Sequence, residues 1–273
     1  MKMYDGVKKI YLRENEQKMA KRLNASYEPI YSVTFMSIPM YHRMRFEHGQ
    51  YSFILPENSK ILATSQEKLG FGVTKLDIDA PFYRSFESNA HEITRNKFYQ
   101  FIHDLQKLGW KEYYYWDSPR LIGTQKTWER EIKKGYGIYY ASIAYQPTLE
   151  EWESVFKNNV TTLVYKLYAD DIILFISIKG EQMAFLRGEA IYTVNLVFQA
   201  MEQEIYRDAC DYDEKNKNHA EAALWLPSVE EYYIQTQQSR IEKERKLKKQ
   251  GFLIDENYKD PLPKIYLDYI RSK

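Results

Sequence analysis

A single cysteine, Cys210, stands in a chain of 273 residues, so no disulfide can form within it. That fits a reducing compartment. It lies beside Asp208 and Asp211, an acidic setting that does not activate a thiol. Glycine is scarce, 11 residues in all. The one close pair, Gly70 and Gly72, is too short for a phosphate-binding loop and reads as a turn. The 5 histidines do not gather. His42 and His48 straddle a strand end at a spacing unlike a helical metal pair, and His91, His103 and His219 are scattered beyond them. No G-x-S-x-G elbow is present for a serine nucleophile. Neither sign of charge dominates: 39 Lys and Arg face 38 Asp and Glu, a net charge of +1. The basic surplus of a nucleic-acid-binding protein is missing.

Long apolar runs are missing too. None approaches the roughly 20 residues that cross a bilayer, and the opening MKMYDGVKKIYLRENEQK lacks the apolar segment of a signal peptide. On the sequence as given, the expectation is a cytoplasmic protein, with the periplasm as the alternative if an export or lipoprotein leader has been removed. No cofactor and no metal are expected.

What the chain has in abundance is aromatic surface: 25 Tyr, 13 Phe and 5 Trp. These side chains bury large areas, and Tyr and Trp carry a polar tip suited to binding faces. With 44% hydrophobic and 28% charged residues, the composition is that of a folded globular protein.

The pattern predicts strands mostly in neighbouring pairs joined by short turns, with helices packed on them. The polar opening to about Tyr27 reads as a helix or loose arm. Tyr31 to Met36, Tyr51 to Leu55, Lys60 to Thr64, and the KLDID segment before Pro81 read as strands. Phe98, Phe101, Ile102, Leu105 and Leu108 recur at three- and four-residue spacing, predicting a helix from Thr94, as N-cap, to Leu108, with Gly109 as its stop. Gly137 to Tyr145 reads as a strand, and Thr148 opens a short helix with Glu150 and Glu151 in its first turn. Thr161 to Tyr168 and Ile172 to Ile178 bracket Ala169-Asp-Asp171 as a hairpin, and Glu189 to Gln199 is a further strand. The stretch from Asp211 to His219 reads as an exposed loop. Ser228 is expected to cap a long helix running to about Gln250, its end a solvated charged face closed by Gly251. The fold class is therefore α+β: antiparallel sheets with packed helices and a long C-terminal helix. Its parts are an N-terminal subdomain over 1–145 and a C-terminal one over 146–273, or one intimate unit.

Two constellations bear on function. Tyr168-Ala-Asp-Asp171, in LVYKLYADDIILF, resembles the active-site hairpin of reverse transcriptases, where paired aspartates hold two Mg²⁺ ions. Asp77, in Lys75-Leu-Asp-Ile-Asp79, resembles the strand that carries that family's first metal ligand. A metal-dependent nucleotidyl-transfer enzyme using Asp77, Asp170 and Asp171 is thus the alternative reading. It requires the three carboxylates to meet at one cation. Against it stand the balanced charge and the lack, between Phe82 and Leu167, of the kind of glycine-containing loop that lets template and nucleotide approach a polymerase. Asp170 and Asp171 are also favoured turn residues.

The second constellation is Trp110, Tyr113, Tyr114, Tyr115 and Trp116, followed by Asp117-Ser-Pro-Arg120. An extended strand sends alternate side chains to opposite faces, so either some rings are exposed as interface anchors or they pack beneath a neighbouring loop. Together with Leu-Gly109-Trp110, Ser118-Pro-Arg120-Leu, Tyr145-Gln-Pro-Thr-Leu-Glu-Glu-Trp152 and Arg187-Gly-Glu189, this block resembles the immunity proteins of type VI secretion and related polymorphic toxins. The resemblance spans roughly Phe98 to Glu189. It implies a non-catalytic protein that binds and neutralises a cognate antibacterial effector toxin, with no nucleic-acid partner. The partner-binding surface expected from the residues is Tyr113, Tyr115, Trp116, Arg120, Asp170 and Asp171.

Overall fold

The computed structural model describes residues 7–30, 33–38, 43–57, 59–66, 70–133, 138–157, 162–181, 190–212 and 222–273. Tyr31, Pro39, His42, Gly137, the Arg187-Gly-Glu189 segment, His219 and the rest of the loop at 213–219 lie outside them, as does the side chain of Cys210.

Period-two burial builds the framework. In β12 (Ala190–Ala200) the alternate residues Tyr192, Val194, Leu196, Phe198 and Ala200 are buried. The same alternation runs through β10 (Thr162–Ala169), β11 (Ile172–Gly180) and β7 (Val73–Ser85). With β2 (Ser26–Ile30), β3 (Val33–Ile38), β6 (Lys60–Gln66) and β8 (Lys111–Glu112), these strands form one sheet in the order β2-β3-β6-β7-β12-β11-β10-β8. A ninth strand, β9 (Ile138–Tyr140), lies parallel to β10, on which β8 also pairs. A second sheet joins β1 (Lys8–Ile10), β4 (Met44–Phe46) and β5 (Phe53–Ile54). β7, from before residue 145, pairs along β12, from after it, so one sheet carries strands of both halves.

The core lies on one face of the large sheet. Helices α2 (Ala90–Lys107) and α4 (Leu149–Lys157) cover it, bringing Phe98 within 5.9 Å of Trp152 and 5.3 Å of Tyr165 between ring centroids. The small sheet closes the same face: Phe46 stacks on Phe198 at 3.9 Å, and Trp110 Nε1 donates to the Tyr51 carbonyl at 3.0 Å. Helices α1 (Glu16–Leu23), α3 (Gln125–Lys133), α5 (Met201–Tyr212), α6 (Ala222–Lys249) and α7 (Lys264–Ser272) complete the α+β fold. α5, α6 and α7 share a second, smaller core around Trp116, Trp225 and Tyr266.

Several local expectations hold. The 162–180 hairpin is in register from Thr162 and Lys179 to Ala169 and Ile172. Thr148 and Glu151 form a reciprocal cap on α4: the Glu151 amide donates to Thr148 Oγ1 at 3.2 Å and the Thr148 amide to Glu151 Oε2 at 2.7 Å. Gly109, at φ 99°, ends α2 where a residue with Cβ would be strained.

Others are corrected. α2 begins at Ala90, and Thr94 is a buried interior residue whose hydroxyl donates one turn back to the Ala90 carbonyl at 2.8 Å. β7 continues through Pro81 to Ser85, because a register shift between Tyr192 and Thr193 absorbs the proline. The strand expected to reach Tyr145 stops at Tyr140. Beyond it, Ser142 takes the Ala144 amide at 3.1 Å and turns the chain. α6 runs Ala222–Lys249 and so includes Ser228 in its interior, with Pro227 inside the helix and one intrahelical N–H forgone there. Asp211 and Tyr212 belong to α5.

Candidate functional site

The aromatic block after β8 is the seat of the C-terminal helices. Tyr113 is buried against Ile173 and Met201. Trp116 is 5% exposed and meets Tyr233 edge-on at 4.8 Å, with Tyr232 and Tyr266 at 6.2 Å. Tyr115 is partly buried, with the Lys166 ammonium 4.1 Å from its ring centroid. Arg120 is committed as well. Its guanidinium makes two bonds of 2.8 Å to Glu244, whose Oε1 also accepts the Arg120 amide at 3.0 Å. Of the two readings open in the sequence, packing describes Tyr113 and Trp116. Tyr113 is covered by Ile173 and by Met201 of α5, and Trp116 by apolar side chains of α5, α6 and α7.

The same contacts correct the picture of α6. Arg240, in the charged run, is 1% exposed. Its guanidinium reaches Asp260 at 2.8 and 2.9 Å and the Tyr115 carbonyl at 2.6 Å. Leu226, Val229, Thr236, Arg240, Glu244 and Leu247 make one buried stripe, in which two members are charged. Hydrophobic periodicity overlooks such a stripe. The three- and four-residue spacing of Arg240, Glu244 and Leu247 was the available signal.

The hairpin tip is different. Asp170 sits at φ 50°, a left-handed conformation that Asp tolerates, with 63% of its side chain exposed. The Tyr51 hydroxyl donates to Asp170 Oδ1 at 3.2 Å, and His48 Nε2 lies 3.9 Å from Oδ2, its ring stacked on Tyr51. Asp171 is paired with Arg13 at 2.8 Å, while Arg13 is also held by both oxygens of Glu202, at 2.6 and 2.7 Å. Beside the tip opens a groove of about 380 Å³, lined among others by Tyr51, Lys111, Tyr168, Asp170, Lys264 and Leu267. Four separate stretches of chain meet there. Of the six residues expected to touch a partner, Asp170 and Asp171 line this groove, and Asp170 is presented most openly.

Asp77 is elsewhere. It faces Val197 on β12, which faces Phe175 on β11, four residues from Asp171. The separation is about 10 Å across the sheet and about 13 Å along it. Asn195 Nδ2 donates to Asp77 at 2.7 Å and to Asp79 at 2.9 Å, and Lys75 lies 3.5 Å from Asp77. The three carboxylates required by the nucleotidyl-transfer reading do not converge. Among the described residues, no group of three or more His, Cys, Asp or Glu is placed to hold a metal ion.

One acid has an unusual environment that sequence reading missed. Glu112, at the end of β8, accepts the Ser142 hydroxyl at 2.9 Å. Burial raises its carboxyl to about 7, against the opposing pull of Ser142, Tyr114, the Ile143 amide and Lys166. An acid whose folded value exceeds the ordinary 4.5 holds its proton more tightly when folded. Its stabilising effect is therefore complete below about 4.5 and lost as pH rises toward about 7, a decline on the order of 3 kcal/mol. Urea unfolding of the unaltered chain and of Glu112→Gln between about pH 4 and about pH 8 checks this. The expected outcome is a downward slope that the variant lacks; parallel curves refute it.

No helix among the described residues is long and apolar enough to cross a membrane. No family model matches the chain, and neither a curated protein nor a solved structure matches it.

Proposed function

We propose that this protein is a non-catalytic immunity protein that captures a cognate antibacterial effector toxin in the groove beside the 169–172 hairpin tip. The observation that carries the reading is the presentation of Asp170. A solvent-facing carboxylate is fixed by its turn, by the Tyr51 hydroxyl and by a neighbour, Asp171, anchored to Arg13. Such a group gives up little freedom on binding, and preorganisation of that kind favours affinity. Tyr51 and Tyr168 flank it with the amphipathic rings that anchor interfaces. Trp116 and Arg120 serve the reading indirectly, by holding the C-terminal segment that supplies Lys264 and Leu267 to the groove, while Tyr113 packs beneath it on Ile173 and Met201.

The test is binding to the product of the neighbouring gene, which this reading expects to be a toxin. Asp170→Asn keeps a residue that accepts the left-handed turn, so the fold is preserved. Loss of the charge is expected to weaken binding by about ten- to a hundredfold, the size of one charged hydrogen bond. Isothermal titration of the two proteins reads it. An unchanged Kd for both Asp170→Asn and Tyr168→Ala overturns the assignment of the groove, and failure of the unaltered pair to associate overturns the function.

A further inference from the structure

Helix α6 buries one stripe, through Arg240, Glu244 and Leu247, and turns the opposite face to solvent. On that outer face Ile234 and Ile241 are 52% and 61% exposed. They are seven residues apart, a spacing that returns to the same side of a helix within about 20°. Glu231, Gln238 and Arg245 repeat at the same interval and are exposed as well. Each lies three or four residues from one of the isoleucines, so an apolar row and a polar row run side by side. Glu231 accepts a bond from the neutral Gln235 at 3.4 Å. Among the described residues, no ion pair engages Glu231, Arg245 or Lys249, which follows one turn later on the same face. Apolar residues scattered singly over a surface are ordinary. Here two stand in register, next to unpaired charges of opposite sign.

We propose that this face pairs with the same face of a second copy of the chain, the two α6 helices lying antiparallel about a two-fold axis at Gln238. In a two-fold contact the surface meets itself, so it must be self-complementary. The charges meet that condition. Glu231 and Arg245 lie seven residues to either side of Gln238, about 10.5 Å each way along the helix, and are opposite in sign. Reversing one helix sets Glu231 against the partner's Arg245, and Arg245 against the partner's Glu231. Ile234 and Ile241 lie four residues before and three after Gln238, so the same operation sets each beside the other in the partner. Two ion pairs then run next to two apolar contacts, and the Gln238 amides meet at the axis, donor to acceptor. Glu242 is a second acid on the polar flank, balanced there by Lys249. Parallel helices would oppose Glu231 to Glu231 and Arg245 to Arg245, a like-charge arrangement that is costly. An anionic lipid surface would repel Glu231 and Glu242.

Sedimentation equilibrium of the full chain, from about 1 μM to about 200 μM, tests the proposal. The expected result is a reversible monomer–dimer equilibrium with Kd of about 1–100 μM, the strength of a contact at the small end of specific interfaces. Ile241→Glu is expected to weaken it about tenfold or more, by setting a carboxylate among the apolar contacts. Arg245→Glu should do the same, because it opposes acid to acid. Combining Glu231→Arg with Arg245→Glu exchanges the signs and keeps the complementarity, so Kd should return to within about threefold of the parent value. These side chains are exposed, so the fold tolerates the changes, and circular dichroism checks it. A chain that stays monomeric over the whole range overturns the proposal. So does a dimer that Ile241→Glu and Arg245→Glu both leave unchanged, and so does a double variant as weak as Arg245→Glu alone.

Discussion

Arg240→Met is expected to cost about 3–5 kcal/mol, because it strands a buried carboxylate. Arg240 and Asp260 have side chains 1% and 5% exposed, and the guanidinium also caps the Tyr115 carbonyl. Desolvating both ions is already unfavourable, and their mutual attraction offsets it only while both are present. Removing the cation leaves Asp260 with Gln237 at 2.9 Å and Tyr233 at 3.3 Å, two neutral donors in place of a charge. The damage should begin in the C-terminal segment. Amide exchange in α6 and α7 is expected to accelerate before that of β10 to β12, since local opening follows the weakest cooperative unit. The double change Arg240→Met with Asp260→Leu should recover much of the loss, because an apolar pair of similar volume avoids the desolvation. Urea unfolding measures both. A single variant as stable as the parent chain would show that the pair contributes nothing.

Trp152→Ala is expected to lose a comparable 3–5 kcal/mol by a different route, a cavity in the main core. Trp152 is fully buried on α4 among Phe98, Phe156 and Tyr192, with centroids at 5.9, 5.1 and 6.0 Å. Its indole N–H donates to the Tyr192 hydroxyl at 3.1 Å, the group that His91 Nδ1 meets at 2.9 Å. Alanine removes the ring contacts and one hydrogen bond together. Trp152→Phe should restore part of the packing but not the bond, and so fall between. Here exchange should rise across the whole sheet, because α2, α4 and the central strands share this core. Equal stability of Trp152→Ala and the parent would mean that the core collapses to fill the space.

These two sites mark where sequence reading works and where it stops. Helix α2, the hairpin of β10 and β11, strand β12 and the capped start of α4 were all legible. Each is specified by residues near one another in the chain: a 3.6-residue or two-residue repeat, a turn dipeptide, a threonine three positions before a glutamate. The errors share a cause as well. Thr94 resembles a cap, but its surroundings bury it inside a helix. Ser228 resembles a helix start, but Pro227 is tolerated one turn into an earlier one. Gly137 to Tyr145 alternates like a long strand, yet its neighbour β10 also pairs with β8, and only Ile138 to Tyr140 joins the sheet.

The candidate site was legible by halves. Asp170 and Asp171 stand out in any reading of the chain, because a turn between two β-rich runs must face outward. The destination of the block from Tyr113 to Arg120 could not be read, since its partners Glu244, Tyr233 and Tyr266 lie more than a hundred residues away. Nor could the separation of Asp77 from the hairpin, which follows from strand order and register alone.

By itself, then, the order of amino acids determined the class of fold, most of its elements and an acidic turn, because these follow from periodicity and short-range hydrogen bonding. Only the tertiary structure decided which aromatics are hidden, which charges neutralise one another and where Glu112 and Lys166 come together. Burial and electrostatic pairing are properties of neighbours in space, and a charged residue in a solvated run is written with the same letter as one in a sealed ion pair.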